Sequence, residues 1–271
     1  MYYEADKKVE KPIITLRDII QTYKSQKDIV TALQNINFDI NEGEFICVLG
    51  QSGCGKSTML KLIAGFLKPS SGSVKMEGKE IEGADWNRGV VFQNAVLYPW
   101  LNIRENVTFG LKMRKISKDQ IKELTDKYLE EVNLKEFHNN KPYELSGGMK
   151  QRAALARVLV NNPRIILMDE PFGALDALTR QNMQGLIRRI WGKTKNTIFL
   201  ITHDVDEALA LGTRIVVMSS RPGKIIKEFN TEFTYSISEQ NSDNVRFTKE
   251  YIRIREEILN IINNQSDIYE I

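Results

Sequence analysis

Residues 45–58 read FICVLGQSGCGKST, five apolar residues followed by a stretch that fits G-x-x-x-x-G-K-[ST]. A short, continuously apolar run is what a strand buried on both faces of a parallel sheet requires. Residues 58–66 continue as an apolar helix. Between strand and helix, Gly50, Gln51, Ser52, Gly53, Cys54 and Gly55 form a loop whose backbone N–H groups converge on phosphate oxygens, and the helix adds its positive end. Lys56 reaches the β- and γ-phosphates, the Ser57 hydroxyl ligates Mg²⁺, and Thr58 completes the site as the chain enters the helix. The motif therefore predicts a nucleotide site over residues 50–58.

The surrounding pattern fits that reading. Residues 13–19 and 33–40 alternate apolar with polar and read as strands, and Asn41-Glu42-Gly43 supplies the turn before the strand at 45–49. Short strands follow at 73–76, 79–81 and 89–92. Residues 94–161 read as helix-rich. Ser117 with Gln120 forms a capping box, Ile121, Leu124, Tyr128, Leu129 and Val132 share one helical face, and a further helix begins at Ser146. Strand–helix alternation then resumes, with strands at 164–168, 197–201 and 214–218 and helices at 176–193 and 204–211. Alternation of this kind predicts a mostly parallel sheet covered on both faces. A polar linker is expected at 235–244, and Phe247, Tyr251, Ile254, Ile258 and Ile261 mark one face of a last helix, expected to dock back on the core.

Residues 165–170, IILMDE, place two acids where an apolar strand ends, at the carboxyl edge of the sheet. Asp169 suits a water-mediated contact to Mg²⁺, and Glu170 suits positioning or deprotonating an attacking water. Two solvated acids at an ordinary strand end are the plain alternative, which the phosphate loop disfavours. Residues 145–152, LSGGMKQR, put a capping Ser146 before Gly147 and Gly148, a helix start that an anion can approach closely.

With these motifs in order, the chain resembles the ATP-binding cassette (ABC) family over residues 13–226. The resemblance implies an α/β, ABC-type P-loop ATPase with a mostly parallel core sheet, an N-terminal antiparallel β subdomain and an inserted helical subdomain at about 94–161. The ATPase domain would span 1–234, with a linker and C-terminal helix at 235–271. By the same resemblance Tyr23 looks like the aromatic that stacks on adenine, and Gln93 like the glutamine that senses Mg²⁺ and the γ-phosphate. Gly173-Ala174-Leu175-Asp176 resembles the D-loop, and His203 the switch histidine. Met149 stands where the family most often has Gln. Residues 89–113, 145–152, 170–180 and 219–225 are similar to the nitrate/sulfonate/taurine branch of import ATPases, which also serves bicarbonate and pyrimidine vitamin precursors.

The family works as a head-to-tail homodimer in which Ser146–Gly148 of one copy would cap the ATP of the other. Closure on ATP would drive integral-membrane permease subunits, with a solute-binding protein engaged indirectly. The implied cofactors are ATP and Mg²⁺. Tyr98, Pro99, Trp100 and Leu101 are candidates for the groove that takes a permease helix. Cys54, beside Lys56 and a helix N-terminus, is in surroundings that make a thiol reactive, and its alkylation is expected to inactivate the protein unless ATP protects it.

Composition narrows the alternatives. The chain has 271 residues, and 38 Lys+Arg against 35 Asp+Glu leave a net charge of +3, too little to argue for a nucleic-acid partner. Two Cys and two His give no zinc-ligand spacing, and a reduced, cytoplasmic setting follows. No apolar run approaches the ~18 residues of a membrane span. Together with the permease subunits that the resemblance implies, this gives an expected peripheral position on the cytoplasmic face of the cell membrane. A cassette ATPase acting on DNA or ribosomes would be expected to carry two cassettes, long coiled coils or zinc inserts. A phosphate-loop kinase or GTPase does not account for LSGGM, and the sequence Asn140-Lys141-Pro142-Tyr143 fails the guanine motif N-K-x-D. A purely structural nucleotide binder would be expected to lack Lys56 or Glu170.

Overall fold

The computed structural model describes residues 12–24, 28–238 and 242–265. The chain begins with β1 (Ile14–Lys24), β2 (Ile29–Ile40) and β3 (Phe45–Leu49), which leads into α1 (Lys56–Ala64). Next come β4 (Ser71–Met76), β5 (Lys79–Glu80) and β6 (Arg88–Val91), then α2 (Ile103–Met113), α3 (Lys118–Glu131) and α4 (Gly147–Leu159). The alternating part runs β7 (Ile165–Asp169), α5 (Ala177–Thr194), β8 (Thr197–Ile201), α6 (Val205–Leu211), β9 (Arg214–Met218) and β10 (Ile225–Asn230). Three helices close the described chain: α7 (Phe233–Ser238), α8 (Ser242–Arg246) and α9 (Lys249–Asn263).

The large sheet has the order β10-β9-β3-β8-β7-β6, parallel except for β10 at its edge. Central strands β3 and β8 are buried from end to end and β9 is buried after Arg214, which explains their apolar sequences. Alternate residues serve two cores. Phe45, Cys47 and Leu49 face the layer of α4, α5, α6 and α9, whereas Ile46 and Val48 face α1 and the second sheet. That second sheet, β2-β1-β4-β5, is antiparallel.

The β3 strand thus lies between β8 and β9, with its carboxyl end beside theirs. Every loop that leaves the carboxyl edge of the parallel strands therefore emerges near the phosphate loop.

Several expectations need correction. The helix-rich stretch opens with α2; Asn102 starts it, accepting from Glu105 N at 2.8 Å while Glu105 Oε2 accepts from Asn102 N at 2.8 Å. At Ser117 the expected box is half formed. Ser117 Oγ accepts from Gln120 N, but the Gln120 side chain bonds the Ser117 hydroxyl rather than its backbone N–H. The stretch expected to be linker, 235–244, is overlapped by α7 and α8; in α7, Phe233 and Ile237, one helical turn apart, are both buried. Of the face expected on the last helix, Tyr251, Ile254 and Ile258 are buried, but Phe247 precedes the helix and is 77% exposed.

Helix α9 is tied down by more than its apolar face. Asp206, in the first turn of α6, accepts from Tyr251 Oη at 3.1 Å and from Arg255 Nε at 2.9 Å. No helix among the described residues is long and apolar enough to cross a membrane.

Candidate active site

The phosphate loop folds on itself around Lys56. Gly53 and Gly55 have φ of +79° and +99°, values open to glycine, and a Cβ on Gly55 would stand 2.8 Å from the Ala32 carbonyl oxygen. Lys56 is buried, and its Nζ donates to the carbonyls of Gly50 at 2.7 Å and Gln51 at 2.9 Å. Beside it runs a cleft of ≈ 240 Å³ lined by Tyr23, Val30, Ala32, Ser52, Gly53, Gly55, Lys56, Ser57, Thr58, Glu170 and Arg221. Tyr23, 41% exposed, shares a hydrogen bond of 3.2 Å with the Thr58 hydroxyl, so the candidate adenine stacker flanks the loop.

Ser57 Oγ donates to Asp169 Oδ1 at 3.1 Å, joining the end of the loop to the end of β7. Burial pushes the Asp169 carboxyl above its ordinary pKa, opposed by the Ser57 hydrogen bond and by Lys61 and Lys56. The hydroxyl and carboxylate oxygens are hard donors of the kind that, together with phosphate, suit Mg²⁺.

Glu170 follows with a φ of 44°, a conformation uncommon for a residue with a Cβ, and its N–H donates to Ile201 O at 3.0 Å. Its Oε2 lies 3.2 Å from His203 Nδ1. Gln93, exposed after β6, reaches the same corner: a Cβ on Gly173 would stand 3.3 Å from Gln93 Nε2 and 3.8 Å from Glu170 Oε2.

The remaining candidates lie elsewhere. Ser146 caps α4, accepting from Met149 N at 3.3 Å, and with Gly148 it lines a separate cleft of ≈ 330 Å³. Nothing stands within 4 Å of where a Cβ on Gly147 would be. Asp176 caps α5, and hydrogen bonds from Thr179 hold its carboxyl below the usual range. The chain thus gathers Tyr23, residues 50–58, Asp169, Glu170, Gln93 and His203 in one region, while Ser146, Gly147 and Gly148 sit at another helix start.

Cys54 differs from its expectation. Its thiol is 1% exposed and packs beneath the loop, so close to Gly50 that a Cβ there would stand 2.7 Å from its sulfur. Packing, rather than its charged neighbours, controls access to it.

A supporting network was invisible in the sequence. Thr202 Oγ1 donates to Glu207 Oε2 at 2.7 Å and also accepts from Asp204 N at 3.0 Å. Glu207 Oε1 accepts from Gln184 Nε2 of α5 at 3.2 Å. Burial raises the Glu207 carboxyl, while the Thr202 hydrogen bond opposes that shift. These bonds fix the residue before His203 to two helices.

A phosphate loop at a switch point of a mostly parallel sheet, with an acid pair and a histidine on neighbouring strand ends, defines an ATP-binding P-loop protein. A family model described as "ABC transporter" matches residues 33–173, and the chain belongs to that family. Over 252 residues it is 48% identical to the taurine import ATP-binding protein TauB of Pelagibacter ubique (strain HTCC1062), covering 93% of this chain and 94% of that one. Among solved structures it is similar to the dimeric ATP-binding cassette MJ0796 in a post-hydrolysis state bound to ADP and Pi. That match has a TM-score of 0.71 and 34% identity, and covers 81% of this chain and 99% of that one. CbiO1 of Clostridium perfringens, part of the ABC transporter complex cbiONQ, gives a TM-score of 0.74 at 27% identity, covering 92% of this chain and 100% of that one.

Proposed function

We propose that this chain is the ATP-hydrolysing subunit of an importer for a small anionic solute, with a taurine-like sulfonate as first candidate. It works as a head-to-tail homodimer bound to separate permease subunits. The observation that carries the reading is the separation of two half-sites: the phosphate-loop cleft and the Ser146–Gly148 helix start line different clefts. A second copy completes the first by supplying the second.

In that dimer the N–H groups of residues 50–58 and Lys56 hold the phosphates, with Tyr23 against adenine. Ser57 and Asp169 would hold Mg²⁺, with Gln93 reaching the metal and the γ-phosphate. The ion would neutralise charge on the β- and γ-phosphates during transfer to water. Glu170 orients and deprotonates that water, and His203 holds the carboxylate and the γ-phosphate in register. Ser146, Gly147 and Gly148 of the opposing copy close over the γ-phosphate, and Asp176 caps the helix behind that junction.

Closure becomes work through an aromatic groove. Tyr98 packs against Phe109 with ring centroids 4.7 Å apart and lines a cavity of ≈ 340 Å³ with Trp86, Met113 and Arg157. Trp100 beside it is 68% exposed. The buried Asn106 fixes this turn, accepting from Tyr98 N at 2.7 Å and donating to the carbonyls of Tyr98, Leu101 and Asn102. A short permease helix fits such a surface, and on this reading the subunit works at the cytoplasmic face of the membrane. The test is uptake of labelled taurine by a strain lacking this gene. Wild type should restore uptake and Glu170→Gln should not; uptake unchanged by the deletion rejects taurine as the solute.

A further inference from the structure

Five parallel strands end at the carboxyl edge of the large sheet, and the loops after four of them carry residues considered above: 50–57 after β3, Gln93 after β6, Glu170 after β7 and His203 after β8. The fifth, β9, delivers residues 219–224, SSRPGK. Strand β9 pairs in parallel with β3, Leu49 opposite Val217, so this turn emerges directly beside the phosphate loop.

The turn is built to stay there. A Cβ on Gly223 would collide with the Cys54 carbonyl oxygen, so only glycine allows the two loops to pack. Gly223 N donates to Ala32 O at 2.9 Å, and Gly223 O accepts from Gln34 N at 3.0 Å, fastening the turn to β2. Within it, Ser219 Oγ donates to Pro222 O at 2.9 Å and accepts from Lys224 N at 2.8 Å. From the other side Gln265, just past α9 and buried, accepts from Ser220 N at 2.7 Å while donating to Ile261 O at 3.0 Å. The same end of α9 accepts from Gln51 Nε2 through Ile262 O at 3.1 Å. Both the phosphate loop and the β9 turn are thus moored to one helix end.

Held this way, Arg221 lines the nucleotide cleft with Ser52, Gly53 and Lys56, and its Nη2 is 3.5 Å from where a Cβ on Gly53 would stand. We propose that Arg221 is a nucleotide-binding residue whose guanidinium contacts the polyphosphate, with Gln265 as the positioning residue that holds its turn in place. The proposal rests on the reading that this cleft takes ATP. Phosphate, rather than the base, is the partner because Arg221 stands at Gly53, within the phosphate cradle, whereas the adenine end is marked by Tyr23. A planar guanidinium pairs with phosphate oxygens in two-pronged fashion.

The test is titration of the full chain with a fluorescent ATP analogue and Mg²⁺, alongside thermal unfolding without nucleotide. Arg221→Ala should weaken binding about tenfold or more, in protein that the thermal scan shows to be folded. Arg221→Lys, which keeps the charge but loses the two-pronged contact, should recover only part of the affinity. Arg221→Gln, which keeps a polar side chain of three carbons and removes the charge, decides in the same way if alanine unfolds the chain. Gln265→Ala should weaken binding less, and should add nothing in the double variant with Arg221→Ala. Wild-type affinity in Arg221→Ala rejects the proposal and leaves the cleft's ATP site standing, whereas absence of ATP binding by wild type overturns both. Additive losses in the double variant remove Gln265 from the positioning role.

Discussion

His203 Nδ1 lies 3.2 Å from Glu170 Oε2, linking the ends of the neighbouring strands β8 and β7. The contact depends on backbone placement at both ends. Glu170 sits at a φ of 44°, and Thr202 is held through Glu207 to α5 and α6. Backbone placement at the two strand ends thus sets the carboxylate beside the phosphate loop. An oriented base raises rate by being in place before reaction begins.

That geometry predicts the behaviour of Glu170→Gln. On the base role proposed for Glu170, the amide keeps the shape and loses the base, so phosphate release should fall by about 10²-fold or more, the range for losing a general base. ATP binding should persist, and dimers should accumulate with ATP on size-exclusion chromatography. Turnover near wild type would remove Glu170 from the base role.

Ser146→Arg should separate binding from closure. Ser146 is exposed at the start of α4 and lines a cleft apart from the phosphate loop. Nucleotide affinity of the monomer should therefore stay within about twofold, while ATP-induced dimerisation in the Glu170→Gln background is lost. Impaired ATP binding by the monomer would contradict the two-copy site.

The buried thiols carry a third expectation. Cys54 and Cys47 are 1% and 0% exposed, so a maleimide should label native protein slowly, at a rate set by opening of the structure. ATP should slow labelling further, because a ligand of the folded state opposes opening. Rapid stoichiometric labelling of Cys54 in native protein would refute the packing beneath the loop.

The docking of α9 gives a pH dependence. Burial disfavours charge on Asp206, but the hydrogen bonds from Arg255 and Tyr251 and the nearby arginine charges outweigh it and lower its pKa. A carboxyl lowered on folding contributes stability fully present above its unfolded pKa, about 3.9, and lost as pH falls through the folded value. Asp206→Asn should therefore lower Tm at pH 7, and the difference from wild type should shrink as pH falls below about 3.9. Tyr251→Phe, which removes one of these bonds, should cost about 1 kcal/mol at neutral pH. Equal Tm for wild type and Asp206→Asn at pH 7 would show that the cluster does not hold the helix.

Legibility of the sequence followed physical locality. Strands at 197–201 and 214–218 were expected at the bounds they occupy, because doubly buried strands are unbroken apolar runs with polar ends. Strand β10 escaped notice because an edge strand exposes Lys227 and Glu228 and loses that signature. Helix α2 carries a sequence signal of its own, Asn102 and Glu105 three residues apart as a cap. The phosphate loop was legible because its residues are contiguous. The parts of the site made by distant segments, Arg221 with Gly53 and Gln265 with Ser220, exist only through the β9–β3 pairing and the return of α9. Cys54 shows the converse: its charged neighbours were visible in sequence, but its burial was not.

The claim that this ATPase drives separate permease subunits is tested most directly by purifying the tagged chain from membranes in mild detergent and identifying its partners by mass spectrometry. A multi-span permease should be recovered in stoichiometric amount, released by substituting Tyr98 and Trp100 with Glu. Recovery of ribosomal or DNA-repair proteins without any permease would contradict the account while leaving the ATP site intact.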